Sequence, residues 1–196
     1  MSDRRFKPTE AYKLEDPERL IWLPPSEVLA HMNLQPGMVV ADLGAGTGYF
    51  SIPISRAVGP RGQVFAVDVE QEMLDKLKTK LTGPDAPTNL HLQLGEAAAT
   101  HLADHMADRV LIANVWHEID DEVATLREVE RLLRASGQLL ILDWRPDVDR
   151  PPGPPLEHRI APEQVTHSLM KRGWKVDESG YIGRYSYFVQ GHPSKG

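Results

Sequence analysis

The segment Val40–Phe50, VADLGAGTGYF, is an apolar run that ends in three glycines at alternate positions, Gly44, Gly46 and Gly48. An apolar run of strand length suits burial on both faces. Glycine takes φ values closed to other residues and lets a ligand approach the backbone to contact distance. A strand that opens into such a turn reads as the start of an α/β unit with a nucleotide-type site at its tip.

The rest of the chain repeats the pattern. Apolar runs at Met38–Leu43, Gln63–Val67, Leu90–Leu94, Arg109–Ala113 and Gln138–Asp143 alternate with segments of helical period. That alternation predicts a parallel sheet covered by helices, a doubly wound α/β fold. Glu70–Leu81 puts Met73, Leu74, Leu77 and Leu81 on one stripe and stops at Gly83-Pro84. Asp120–Leu133 opens with acidic residues, turns Val123, Leu126, Val129 and Leu133 inward and exits at Ser136-Gly137. A helix near Pro162–Arg172 then precedes a terminal hairpin, Trp174–Ser179 and Tyr185–Gln190, with Gly180 and Gly183 between its strands. The first 33 residues and Arg145–Pro155 read as irregular.

Composition narrows the class. A chain of 196 residues with 41% hydrophobic content fits one domain, because roughly 70% of the unfolded surface can be buried at this length. It divides into an N-terminal arm, 1–33, and a core, 34–196. No run approaches the roughly 20 apolar residues of a membrane helix, and the polar N-terminus is unlike a secretory signal, so a cytoplasmic chain with no integral membrane segment is expected. A net charge of -6 without a basic cluster argues against nucleic acid as a partner. The absence of cysteine excludes disulfides, thiolate metal sites and a cysteine nucleophile. His101 and His105 have metal-ligand spacing, but Leu102 stands where HExxH has glutamate, and a solvated connector is the better reading.

The remaining motifs fall at strand ends. Asp68 comes 24 residues after Gly44, which suits an acidic side chain that accepts both hydroxyls of a ribose. Asp42 precedes the turn and can orient it or meet an ammonium group. Gly95-Glu96-Ala97 follows the third strand, where a carboxylate can face an adenine edge, and Asn114-Val115-Trp116-His117 follows the fourth. His117 is the candidate general base for an acceptor that must lose a proton. After the fifth strand, DWRPDVDRPPGPPLEHR carries Pro146, Pro151, Pro152, Pro154 and Pro155, a stiff wall that brings Trp144, Arg145 and His158 to the acceptor. Phe6, Tyr12, Trp22 and Leu23 precede Pro24-Pro25, read as helix-breaking, in an arm able to close over a cofactor.

GAGTG at Gly44–Gly48, the AVD ending at Asp68, the helix containing Met73, Gly95-Glu96 and the terminal hairpin together resemble a class I S-adenosylmethionine-dependent methyltransferase. Within that superfamily the chain most resembles the small-molecule, type 11 branch that includes the ubiquinone and menaquinone methyltransferases. The resemblance implies a Rossmann-like, mostly parallel seven-stranded sheet whose last strand is antiparallel. It implies S-adenosylmethionine as cofactor and S-adenosylhomocysteine as product. The glycine loop, Gly44, Ala45, Gly46 and Gly48, then holds the methionyl end beside Asp42. Asp68 holds the ribose, Val69 flanks adenine, Glu96 sits near its amino group with Gly95 and Ala97, and Asn114 lies nearby. Trp116, Trp144, Arg145 and His158 then face a small-molecule acceptor, and Met73 is assigned to the core.

Two other functions share parts of this pattern. An NAD-dependent oxidoreductase needs Gly or Ala where this chain has Tyr49, which obstructs the helix–strand packing of the dinucleotide fingerprint. A non-catalytic S-adenosylmethionine-binding regulator would keep the same cofactor residues. The chain lacks the N/D-P-P-Y/F segment that holds an exocyclic amine, which disfavours base or glutamine-amide methylation.

Overall fold

Burial of both faces of the central strands sets the architecture. The computed structural model describes residues 6–148 and 152–194. In chain order it contains α1 (Arg19–Trp22), α2 (Pro25–Met32), β1 (Val39–Leu43), α3 (Ser51–Val58), β2 (Gln63–Asp68), α4 (Gln71–Lys80), β3 (Leu90–Leu94), β4 (Ala107–Ala113), α5 (Glu122–Leu132), β5 (Leu133–Trp144), α6 (Pro162–Lys171), β6 (Trp174–Ile182) and β7 (Ser186–Pro193). Short 3₁₀ segments occupy Pro8–Glu15, Trp116–Glu118 and Leu156–His158. The first five residues of the arm, the wall residue Pro151 and its neighbours at 149–150, and positions 195–196 lie outside the described residues.

The seven strands form one sheet in the order β3-β2-β1-β4-β5-β7-β6. Strands β1 to β5 run parallel, and β7 is antiparallel to both β5 and β6. This is the Rossmann-like, mostly parallel sheet with an antiparallel last strand that the resemblance implies. In β5, Leu140 and Leu142 face one layer while Leu139 and Ile141 face the other. Each strand residue thus packs on opposite sides in turn. One layer receives Val28 and Met32 of α2, Ile54 and Val58 of α3 and Leu77 of α4. The other receives Leu126, Val129 and Leu132 of α5 with Val165 and Leu169 of α6. The order reverses between β1 and β4, so the loops after β1, β2, β4 and β5 converge on one edge.

Several boundaries differ from the sequence reading. The described part of the arm is not wholly irregular: Pro25 is the first residue of α2, where its missing N–H has no intrahelical partner to lose, and Asn33 ends the helix at φ 48°. No periodicity marks α3, only eight residues long, and Pro53 sits in its first turn, where backbone N–H groups lack helical acceptors anyway. Gly180 lies inside β6 beside Phe188, and the hairpin turns at Gly183. Strand β5 starts at Leu133 because pairing with β4 begins there and shifts register before Gln138.

Gly48 has a packing reason for being glycine. Its φ is +85°, and a Cβ there lies 2.3 Å from Cδ1 of the fully buried Leu77. Gly48→Ala is expected to destabilise the fold by roughly 1–3 kcal/mol, through overpacking and a backbone conformation that L side chains resist. Urea unfolding should show a lower midpoint at unchanged slope. An unchanged midpoint would remove the packing role.

Candidate functional site

The turn after β1 is held by its neighbour. Gly44 and Ala45 donate their N–H groups to the Val67 carbonyl at 2.8 and 2.9 Å. Gly46 donates to Oδ2 of Asp68 at 2.7 Å, and Glu70 donates to Oδ1 at 2.9 Å. A carboxylate has about four acceptor sites, so acceptor capacity remains after these bonds and the further backbone donor Val69. Burial pushes the Asp68 carboxyl up, against the backbone donors of Glu70, Gly46 and Val69 that favour its ionised form. Gly44 also admits the β4 loop, since a Cβ at its φ of +78° lies 2.4 Å from Val115 Cγ2. Asp42, buried in β1, accepts the Ser51 hydroxyl at 2.5 Å. Burial, helped by the charge of Asp68, raises it to about 6 against the bond from Ser51 and the charge of Arg19.

The ends of β4 and β5 supply a second group of side chains. Asn114 takes φ 57°, donates its N–H to Leu142 O at 2.7 Å, and its buried Oδ1 has no hydrogen-bond partner among the described residues. The 3₁₀ turn that follows is pinned by Asp143. Its Oδ2 accepts the His117 backbone N–H at 2.8 Å, and its Oδ1 lies 2.8 Å from His117 Nδ1. On the other side of the ring, Nε2 is 3.6 Å from Glu118 Oε1. Burial works against the His117 imidazolium, but the bond to Asp143 and the charges of Asp143 and Glu118 outweigh it and raise its pKa. Burial raises Glu118 to about 7, against the nearby His117 and a backbone N–H donated by Phe6.

A cavity of about 1030 Å³ lies between these groups. That is the upper end of the range for small-molecule sites, with room for a nucleoside and a second reactant. The N-terminal segment covers it. Glu15 accepts the Thr47 hydroxyl at 2.5 Å and Lys80 Nζ at 2.6 Å, and Lys80 also reaches Thr47 O at 2.9 Å. Arg19 is buried with its guanidinium 3.9 Å above the Tyr49 ring, whose hydroxyl donates to Leu23 O at 2.6 Å. Trp22 meets Trp144 at 5.5 Å and Tyr185 at 6.0 Å between ring centres, and all three line the cavity.

Most of the residues singled out from the sequence meet here. Asp42, Gly44, Ala45 and Gly46 line the cavity around the turn. Asp68, Val69, Gly95, Glu96 and Ala97 line it from the ends of β2 and β3, and Asn114, His117, Trp144 and His158 from the far side. Three do not. Gly48 is turned onto Leu77, and Trp116 is fully buried in the α5–α6 layer, because the turn that presents His117 points its neighbour inward. Arg145 pairs with Asp147 at 2.8 Å and lies 4.1 Å over Tyr181, on the hairpin side. Met73, assigned to the core, lines the cavity as well. Glu118, Arg19 and Tyr185 also line it, and Asp143 supports it from beneath. Glu118 stands beside His117 in WHEID and Asp143 ends a strand, so both carried a positional signal; Arg19 and Tyr185 carried none.

Asp42 makes stability depend on pH. Its folded pKa of about 6 lies above the unfolded 3.8, so the folded state binds the proton more tightly, and stability is withdrawn as pH rises from 3.8 through 6. Asp42→Asn is therefore expected to gain roughly 2–3 kcal/mol relative to the parent between about pH 4 and about pH 8. Denaturant melts at the two pH values measure it. A pH-independent difference would mean that Asp42 is not desolvated as described.

Comparison with known proteins agrees with this geometry. A methyltransferase-domain family matches residues 40–137, from β1 to the start of the Gln138–Trp144 run. The ubiquinone/menaquinone biosynthesis C-methyltransferase UbiE of Shewanella frigidimarina is 36% identical over 110 residues, 56% of this chain and 44% of that protein. The chain thus matches less than half the length of that curated relative. The crystal structure of a SAM-dependent methyltransferase from Aquifex aeolicus superposes with a TM-score of 0.89 at 30% identity, covering 95% of this chain and 98% of the other. The PH0226 protein of Pyrococcus horikoshii shares the fold, with a TM-score of 0.71 at 19% identity over 90% of each chain. The chain belongs to the S-adenosylmethionine-dependent methyltransferases, and S-adenosylmethionine is its cofactor.

Proposed function

We propose that this protein transfers the methyl group of S-adenosylmethionine to a small organic acceptor by in-line displacement, with residues 34–196 as the catalytic core and the N-terminal segment as its cover. The observation that carries this reading is the Asp68 carboxylate. It ties the glycine turn down through Gly46 and keeps acceptor capacity for the ribose hydroxyls. In this reading the turn Gly44–Gly46 and Asp42 receive the methionyl end, with Asn114 Oδ1 as a further acceptor for its ammonium group. Val69, Gly95, Glu96 and Ala97 surround adenine, with Met73 against the base.

When bound, the cofactor supplies a methyl group already activated by its sulfonium. The chain's task is then to align the acceptor and exclude water. Trp22, Trp144 and Tyr185, with Pro152 and His158, give the far end of the cavity flat apolar walls that suit a planar acceptor. The ubiquinone/menaquinone relative methylates carbon, as its name states, and an aromatic or quinone-precursor acceptor fits both observations. His117 is the base for an acceptor that loses a proton.

Asp68→Ala is expected to weaken S-adenosylhomocysteine binding at least about tenfold, the loss of charged hydrogen bonds of roughly 1.5–3 kcal/mol, read by calorimetric titration. Unchanged affinity would remove Asp68 from the cofactor site. Methyl-labelled S-adenosylmethionine offered with hydroxylated benzoquinol and naphthoquinol acceptors tests the transfer. Label in product supports the acceptor class; label in none of them, with the cofactor bound, contradicts it.

A further inference from the structure

Asp143, His117 and Glu118 make a row of three ionisable side chains from the end of β5 to the cavity, each within contact of the next. Donor counting fixes their states. Asp143 is almost fully buried and accepts two backbone N–H groups, from His117 at 2.8 Å and Trp144 at 2.8 Å, which favour its ionised form, and its Oδ1 also lies 2.8 Å from His117 Nδ1. An ionised carboxylate only accepts, so Asp143 is a carboxylate and the ring proton sits on Nδ1. The neutral ring therefore presents a lone pair at Nε2, and 3.6 Å away Glu118 Oε1 presents another. At 3.6 Å the contact is longer than a hydrogen bond, and it becomes an ion pair when a proton reaches Nε2.

The surroundings favour keeping that proton near neutrality. Around His117 stand Asp143 from β5, Glu118 from its own turn and the opposing charge of Arg159 from the segment before α6. Around Glu118 stand His117, Asp143, Asp68 and the Phe6 N–H of the cover. Tyr187 of β7 faces Asp143, and burial with that charge raises it, so it stays a neutral phenol. Burial thus raises Glu118 to about 7, and the carboxylate partners of His117 outweigh burial and hold it above the ordinary imidazole value. Two apolar side chains would close this end of the core at lower desolvation cost. A row of charges kept at a cavity wall is the arrangement of a proton acceptor.

We propose that Glu118 and His117 together accept the proton shed by the methyl acceptor, that Asp143 is the positioning residue that fixes the imidazole, and that the acceptor is a phenol or enol. The proposal rests on the methyltransferase reading above. As the bond from the acceptor atom to the methyl carbon forms, the carbon–sulfur bond breaks and its electron pair stays on sulfur, leaving a neutral thioether. The acceptor's proton passes to the Glu118–His117 pair and then to solvent. A thioether or tertiary amine acceptor has no proton to give and leaves the row without a task.

The test uses the full chain with ¹⁵N-labelled histidine and S-adenosylhomocysteine bound, with His117 assigned through His117→Gln. Long-range proton–nitrogen spectra are expected to show the Nδ1–H tautomer for the neutral ring. The titration midpoint should fall by at least about one unit in Asp143→Asn and by less, in the same direction, in Glu118→Gln. An Nε2–H tautomer, or a midpoint that neither variant moves, overturns the relay. Glu118→Gln changes only a cavity-wall side chain and keeps the test decisive if Asp143→Asn does not fold. For the acceptor class the probe is 4-nitrophenol, added about one unit below its solution pKa. Binding with the absorption of the phenolate supports the proposal; binding as the neutral phenol, or no binding, overturns the phenol class. Calorimetry on the same samples separates the two levels. If S-adenosylhomocysteine does not bind, the methyltransferase reading fails, whereas the tautomer of the unliganded chain still decides the relay.

Discussion

One carboxylate holds the site in register. Asp68, at the last position of β2, accepts Gly46 from the turn after β1 and Glu70 from the start of its own loop. The two loops belong to different strands and share few other bonds, the Gly44 and Ala45 donations to Val67 being the principal ones. Without Asp68 the glycine turn would have three left-handed residues, Gly44, Gly46 and Gly48, and little to select their conformation. With it, the turn lies open to a ligand and a negative charge stands beside it. That is why the same residue serves as both scaffold and contact, and why its buried carboxyl stays ionisable: backbone donors offset part of the desolvation.

The second half of the cavity follows the same logic with a different element. Asp143 stands next to last in β5 as Asp68 stands last in β2, and it too binds backbone donors, here from His117 and Trp144. A carboxylate at a strand end thus anchors each of the two loop groups. Above them the N-terminal segment closes the cavity through a few polar contacts, Glu15 with Thr47 and Lys80 chief among them, and through aromatic contacts around Trp22. These are exposed or half-buried bonds of modest strength. The segment is also anchored by the fully buried Leu23 and the buried Arg19, beside a sheet whose helices pack through apolar layers.

How far the sequence speaks depends on whether a feature is local. Strands β1 to β5, the glycine turn, Asp68 and the terminal hairpin all announce themselves by residue type and spacing, because burial and left-handed backbone act on the residues that show them. Side-chain direction is another matter. Trp116 and His117 are neighbours in WHEID, and only the 3₁₀ turn, pinned by Asp143, decides that the histidine faces the cavity and the tryptophan the core. Arg145 points to the hairpin because Asp147 and Tyr181 draw it there, and Gly48 is spent on Leu77. Met73 is both core and wall, a distinction periodicity cannot make. Helix α2 was hidden for a related reason: proline at the first helical position looks like a breaker until its hydrogen-bonding role is counted.

The most direct measurement is a crystal structure of the protein with S-adenosylhomocysteine. The expected result is a nucleoside lying along the turn Gly44–Gly46 with both ribose hydroxyls within hydrogen-bond distance of Asp68, and its sulfur directed toward the His117–Glu118 wall. A nucleoside bound elsewhere, or Asp68 turned away from the sugar with Gly46 released, would contradict the central role of that carboxylate.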